Sequence, residues 1–543
     1  MTYQFLHAAD IHLGHRQYNR TQRERDMYAT FKKTLEDAVN DHGIDAVFIP
    51  GDLFHSRDLR PSVLETAERA LDVVPEDVPV LVTPGNHDQN LDRREMTWLE
   101  YLHQRDAITL LQPDFAGISQ NERSAEKLFP SPQAASEGEG TGVDGTVPGY
   151  FDLEVSGFDA PLRVFGLEYR GGYIDTALEQ TKTAIKSVND RAGEPSHTVL
   201  MGHFGVADEV PDLGAAARYS TLQQLEDVVD YLALGHIHKP YEGPGDDPWF
   251  FNPGSLEAHS TDEARWELGY YVTELGAEDF AANHQTSKRR PFYTFEWDVD
   301  GYDTWSDLVN EFGEAVDNKR ADIETWCSRD EYTTKDGNPR SPVIDLQIRG
   351  HLEFDRRDLD VEALESMITE VTNAVHVQTK TSVTTAEIID LVEDMDEEAV
   401  FTDTGTLRTE ILEDEVFTTV AKQTPFSEDP EATAEALTHA KELVIEEQAS
   451  GESVADYLQE RRRETFQGGV GSVDPTYDEV ADHADDGGID DEVFNAVHAG
   501  EEVDPVEAAA QTVEAKSEET PAIEEVPKDV DDDASVATKG GEN

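Results

Sequence analysis

The sequence predicts an α/β layered fold over its first 285 residues, on three observations. Short apolar runs of strand length recur there, helix-spaced apolar positions separate the early runs, and residues able to carry chemistry follow each run. Phe5-Leu6 is the first run. Met27, Phe31, Leu35 and Val39 recur every four residues, which places them on one helix face. Ala46-Val47-Phe48-Ile49 is the second strand. Pro61 opens a second helix, Ser62 to Val74, at a position where its missing N–H costs nothing. Val80-Leu81-Val82 follows as a strand, and a third helix is expected from Arg93 to His103. The Gly-rich stretch 131–149 is expected to be an inserted mobile loop. Thr198-Val199-Leu200-Met201 and Tyr231-Leu232-Ala233-Leu234 complete the set of runs.

The pattern changes after Arg289-Arg290-Pro291. Phe292 to Val299 and Val343 to Ile348 are predicted strands and Val361 to Val375 a helix, giving a smaller α+β domain over 290–395. Residues 401–467 are expected to be helical, with apolar positions at Leu407, Ile411, Val416 and Val420, then helices at Ala436–Glu447 and Val454–Arg463. Residues 468–543 are rich in Asp, Glu, Ala and Val and are expected to be a disordered acidic tail.

The chain of 543 residues carries 116 Asp and Glu against 43 Lys and Arg, a formal charge of −73. Residues 474–543 hold 23 acids and three lysines, so the body alone keeps −53. Self-repulsion on that scale fades only near molar salt, so the acidity reads as adaptation to a salt-rich cytoplasm. Charge of this sign argues against nucleic acid as a ligand, but weakly, because binding needs only a locally suitable site. No apolar run reaches the roughly 18 residues of a membrane-spanning helix. The N-terminus shows no signal-peptide pattern. The single cysteine, Cys327, excludes an intrachain disulfide and reads as a buried small hydrophobe. A soluble, cytoplasmic protein is the expectation.

The chemistry lies just after the five runs: Asp10 with His12; Gly51-Asp52; Gly85-Asn86-His87-Asp88; His203; and Gly235-His236 with His238. In open α/β sheets, binding residues converge at strand ends. The i, i+2 spacing of Asp10/His12 and His236/His238 lets each pair share one face of an extended segment. Glycines before Asp52, Asn86 and His236 let the backbone turn sharply toward a common centre. The donors are imidazole, carboxylate and carboxamide without thiolate, which favours manganese, iron or zinc. Two such ions about 3.5–4 Å apart suit phosphate-ester hydrolysis, provided one carboxylate bridges them. Asp52 is the candidate bridge.

The order DxH, GD, GNHD, H, GHxH resembles the calcineurin-like metallophosphoesterases. Ala9-Asp10-Ile11-His12-Leu13-Gly14, Gly51-Asp52-Leu53-Phe54-His55, Gly235-His236-Ile237-His238-Lys239 and Pro253-Gly254-Ser255-Leu256 are similar to its SbcD / Mre-eleven nuclease branch. The resemblance covers about residues 1–270. It implies a metallophosphoesterase β-sandwich flanked by helices over 1–285, a capping domain over 290–395, and a helical partner-binding segment over 401–467. It assigns Asp10, His12, Asp52 and His238 to one metal, and Asp52, Asn86, His203 and His236 to the other. Two manganese ions are implied, with magnesium, iron or zinc as alternatives. His87 takes the place of the catalytic histidine that assists the leaving group, and His55 of a second histidine that orients His87 or the phosphate. Asp88 is expected to support the ligands, not to bind metal. Phe204 stands where members often have glutamine.

The implied activity is a DNA nuclease, 3′→5′ on duplex ends and endonucleolytic on single strands, in double-strand break repair. The implied partners are DNA, a second copy of the chain and a coiled-coil ATPase of the SbcC / Rad-fifty type. The dimer would use Leu64, Ala67 and Leu71 with Trp98, Leu99 and Leu102; the ATPase would dock on the 401–467 helices. Two rival readings are a phosphoesterase acting on phosphoproteins or small nucleotides, and a regulatory scaffold for the ATPase. His15, Arg16 and Arg57 flank the metal motifs and are candidates for phosphate contact.

Overall fold

In the computed structural model the described residues are 3–385, apart from 91–94, 116–126, 139, 143–144, 208–215, 246 and 277–279, together with 436–439, 441 and 457. The chain divides into two units, 1–412 and 413–543. In the second, residues 436–439 are helical and the rings of His439 and Tyr457 lie 4.8 Å apart.

Two sheets organise the first unit. In chain order the strands are β1 (Tyr3–His7), β2 (Ala46–Pro50), β3 (Val80–Thr83), β4 (Thr109–Leu110), β5 (Tyr150–Leu153), β6 (Leu162–Leu167), β7 (His197–His203), β8 (Gly205–Val206), β9 (Ala216–Ala217), β10 (Tyr231–Gly235), β11 (Tyr241–Gly243), β12 (Phe250–Asn252), β13 (Gly269–Leu275) and β14 (Phe280–Thr286). One six-stranded sheet runs β14-β13-β1-β2-β3-β4, the other β11-β12-β10-β7-β6-β5. β1, β2 and β3 are parallel, as are β7 and β10, so the chemistry-bearing segments leave the two sheets from strand C-termini.

Strand alternation decides the layers, because successive side chains point to opposite faces. Phe48 of β2, Val199 and Met201 of β7, and Tyr231 and Ala233 of β10 pack together between the sheets. Their neighbours face outward. Val47 and Ile49 meet Phe31 and Leu35 of the helix Thr21–Asp37 and Ala67 and Leu71 of the helix Pro61–Leu71. Leu200, Leu232 and Leu234 meet the helix Ile174–Ala192. The result is helices on both outer faces of a two-sheet sandwich.

The third helix starts at Trp98, later than the expected Arg93. Thr97 caps it, accepting from the Glu100 N–H while the Glu100 carboxylate accepts from the Thr97 N–H, a reciprocal cap that fixes the start. The stretch expected to be a mobile loop is folded where described. Ser131 caps a short helix at Pro132–Ser136, Thr141 bridges Val147, and Ala135 and Val147 are 2 % and 1 % exposed. Gly140, Gly145 and Gly149 sit where a Cβ would meet backbone at 2.6 Å, a role that composition does not separate from flexibility.

Beyond Pro291 lies a separate parallel sheet of β15 (Phe292–Asp298), β16 (Val343–Leu352) and β17 (His376–Thr385). The helices Trp305–Cys327 and Val361–Thr372 make the crossovers, and Asn373 in the left-handed region ends the second. Cys327 is buried in the core these elements share.

A buried charge network joins this sheet to the sandwich. Arg23 donates to Gln17, Asp26, Glu257 and the Ala258 carbonyl at 2.8–3.0 Å. Glu257 also accepts from Thr30 and from the backbone N–H of Arg290, whose guanidinium is paired to Asp26. Arg23, Asp26, Glu257 and Arg290 are all 5 % exposed or less. Glu257→Ala would leave Arg23 without one of its two carboxylates in a site water cannot reach. Removing one partner of a buried pair costs about 3–5 kcal/mol. Urea unfolding in molar salt should show that loss; a cost below about 1 kcal/mol, as for exposed pairs, would show that the network holds nothing together.

Candidate metal centre

The loops leaving β1 and β2 are laced together. The N–H groups of Ile11 and His12 both donate to the Asp52 carbonyl at 3.0 Å, and the Asp10 N–H reaches the Gly51 carbonyl at 3.4 Å. Gly51 sits at φ +94°, and a Cβ there would lie 2.1 Å from His203 Nδ1. A Cβ on Gly85 would lie 2.1 Å from Asp52 Oδ1. Only glycine lets these backbones approach the centre so closely. Asp10, His12, Asp52 and His236 all have positive φ, a strained conformation for side chains of this size. Four of the seven sequence-predicted ligands thus hold backbone strain at one place.

The structure brings all seven together. His203 Nε2 lies 3.2 Å from Asp52 Oδ2 and 3.2 Å from Asn86 Oδ1. His236 Nδ1 lies 3.2 Å from the same Asn86 oxygen. His12 Nε2 lies 3.7 Å from Asp52 Oδ2, 4.0 Å from Asp10 Oδ1 and 3.2 Å from His238 Nε2. The His236 N–H donates to both Asp10 oxygens, which ties the loop after β10 to the loop after β1.

The proton positions test whether cations fit. His203 donates Nδ1–H to the Pro50 carbonyl at 2.8 Å, so its Nε2 faces only oxygens. His238 donates Nδ1–H to Glu263 at 3.1 Å, so its Nε2 faces the His12 nitrogen. Asp10 and Asp52 are 0 % and 2 % exposed, and no Lys or Arg among the described residues pairs with either. Burial pushes the Asp10 carboxyl up to about 6. Burial opposes it, yet the charge and hydrogen bond of Asp52 push His203 up to about 9. Burial also opposes ionisation of Asp52, but His203 and His87 hold it below the usual carboxylate range. Buried imidazoles and carboxylates aimed at one another need positive charge between them, which protons supply when no cation does. Divalent cations supply it and displace the protons these groups otherwise hold.

His87 lies beside this cluster. Its backbone N–H donates to Asp52 Oδ1 at 2.9 Å and its Nδ1–H to the His55 carbonyl at 2.7 Å. The His55 ring stacks on His87 with centroids 5.3 Å apart. Asp88 spends both oxygens on backbone N–H groups, those of Phe54 and Gly85 at 3.0 Å. Phe204 is fully buried in the outer core of the second sheet, and His203 is oriented by the Pro50 carbonyl instead of a side chain at that position. Arg16 reaches Thr21 at 2.9 Å and Arg57 is exposed, whereas His15 stacks on His55 at 4.0 Å.

Three neighbours escaped the sequence reading. Glu263 orients His238 from a short 3-10 turn. Tyr169 packs its ring 5.2 Å from that of His236. His259 places its ring 4.6 Å from His12 and 4.4 Å from His238. His259 stands three residues beyond Pro253-Gly254-Ser255-Leu256, so a reading extended along that motif would have met it.

Residues 3–240 match the calcineurin-like phosphoesterase family, in keeping with the sheet order and the donor set. Among the similar proteins are archaeal DNA double-strand break repair proteins named Mre11. The chain is 28 % identical over 277 residues to the one from Archaeoglobus fulgidus, covering 51 % of this chain and 54 % of that one. It is 25 % identical over 303 residues to that of Halobacterium salinarum, covering 54 % and 62 %. It is 32 % identical over 246 residues to that of Saccharolobus solfataricus, covering 45 % and 51 %. The chain thus spans little more than half the length of these relatives. No helix among the described residues is long and apolar enough to cross a membrane.

Proposed function

We propose that the chain is a two-metal DNA nuclease that works in double-strand break repair. The observation that carries this is the meeting of Asp10, His12, Asp52, Asn86, His203, His236 and His238 from five strand ends, with their donor atoms 3.2–4.0 Å apart. The likeness to the Mre11 repair proteins supports DNA as the substrate. Two divalent cations, manganese first among them, would neutralise a phosphodiester and lower the pKa of a water poised to attack it. Asp10, His12, Asp52 and His238 would hold one and Asp52, Asn86, His203 and His236 the other.

The remaining chemistry belongs to the protein. His87, anchored through Nδ1 on the His55 carbonyl, directs Nε2 outward and gives a proton to the departing 3′-oxygen. His55 positions it through that carbonyl and the ring stack. The three-stranded unit 292–385 acts as a cap that shapes access for DNA. A second copy of the chain docks on the helices Pro61–Leu71 and Trp98–Gln104, where Leu64 and Trp98 remain partly exposed while Ala67, Leu71, Leu99 and Leu102 are taken up by the sheet. A coiled-coil ATPase docks on 401–467, which lies almost wholly outside the described residues.

The test is to incubate the purified protein with end-labelled blunt duplex, hairpin DNA and a phosphoserine peptide, with manganese near molar KCl. Release of nucleotides from the duplex and nicking of the hairpin are expected. Turnover of the phosphopeptide alone would replace this reading with that of a protein phosphatase.

A further inference from the structure

His259 is held as firmly as the proposed ligands are. The Glu263 carboxylate accepts from His238 Nδ1–H with one oxygen, at 3.1 Å, and from the His259 backbone N–H with the other, at 2.7 Å. The preceding carbonyl, that of Ala258, is fixed by Arg23 at 3.0 Å. One ring nitrogen of His259 lies within 4.8 Å of ring nitrogens from both His12 and His238. Its Nδ1 lies 3.1 Å from His15 Nδ1. Its Nε2 is buried and has no hydrogen-bond partner.

The His15–His259 contact admits two tautomers, and the one with the proton on His259 Nδ1 leaves His259 no buried N–H without an acceptor. A ligating imidazole carries its proton on the nitrogen away from the metal and gives it to a neighbour. With Nδ1–H donated to His15, His259 Nε2 is bare, and the His12 and His238 Nε2 atoms beside it are 3.2 Å apart. We infer that His259 Nε2 is a third imidazole ligand for the cation assigned to His12 and His238, and that it biases this position toward nitrogen-preferring ions such as zinc or iron over manganese. The inference rests on the two-metal reading. Its chemical basis is ligand type: imidazole suits zinc and iron, whereas carboxylate and water suit manganese and magnesium.

Cobalt-loaded full-length protein tests it without measuring activity. Each coordinated imidazole keeps one N–H, which gives a strongly shifted exchangeable proton resonance beside paramagnetic cobalt. Five such signals are expected in the unmutated protein, from His12, His203, His236, His238 and His259. Four would overturn the inference, and none would instead overturn the two-metal reading. His259→Phe keeps a ring to stack on His15 but has no nitrogen. It should lose one signal, and its preference for zinc over manganese in chelator competition should fall by at least about tenfold. Unchanged zinc and manganese isotherms in His259→Phe, beside loss of an ion in Asp10→Ala, would show His259 to be packing only.

Discussion

His87→Ala is expected to lower DNA cleavage by about 10²- to 10⁴-fold while both ions stay bound, the range for removing one general acid. The geometry separates the two effects. His87 reaches Asp52 through its backbone N–H, which alanine retains; its ring hydrogen-bonds the His55 carbonyl and lies edge-on to the ligand His12 with centroids 4.9 Å apart, without bonding it. Its side chain can therefore be removed without withdrawing a ligand. Chemistry that depends on stabilising the leaving oxygen should recover in part with substrates whose leaving group needs no proton. An activated aryl phosphodiester should thus lose far less rate than DNA. Equal loss on both substrates, or loss of metal from the variant by mass spectrometry, would mean that His87 supports the centre and moves no proton.

Low salt should unfold the protein. With 116 acids against 43 basic residues, repulsion acts across the whole surface. The screening length falls from about 10 Å at 0.1 M to about 3 Å at 1 M, below the typical spacing of surface charges. Even the ion pairs seen on the surface, such as Lys186 with Asp227 and Lys319 with Asp322, are exposed and contribute little each. The midpoint of thermal unfolding should rise steeply from 0.1 to 1 M KCl. DNA affinity ordinarily weakens over the same range, so activity at molar salt must depend chiefly on cation–phosphate contact at the centre. A melting temperature flat across that range would remove the salt-adapted reading.

The five strands that carry the centre were legible because each is a short apolar run ending in Gly, Asp or His. The β-sandwich itself was less legible. β13 and β14 in one sheet and β6 in the other close with no motif, and β14 alternates exposed and half-buried residues with weak contrast. The helix Trp305–Cys327 buries Leu308, Phe312, Val316, Ile323 and Cys327 at helical spacing, but the acids between them mask the stripe in a chain acidic everywhere. Arg23 was illegible for a different reason. An arginine near a helix start reads as solvated, and only the fold brings Glu257, 234 residues away, against it. Glu263 belongs to the same class, whereas His259, three residues beyond Pro253-Gly254-Ser255-Leu256, was within reach of a reading extended along that motif. The contacts of both with His238 arise from the turn after β12, which only the fold brings against the centre.

Metal content after equilibration with manganese in molar KCl tests the central claim most directly, measured on the unmutated protein and on Asp52→Ala. Asp52 lies within 3.7 Å of His12 on one side and 3.2 Å of His203 on the other, which is where a bridging carboxylate must stand. Two ions per chain are expected in the unmutated protein and fewer than one in Asp52→Ala, because both sites lose the shared negative charge. Two ions retained without Asp52, or none bound with it, would contradict a bridged two-metal centre at these strand ends.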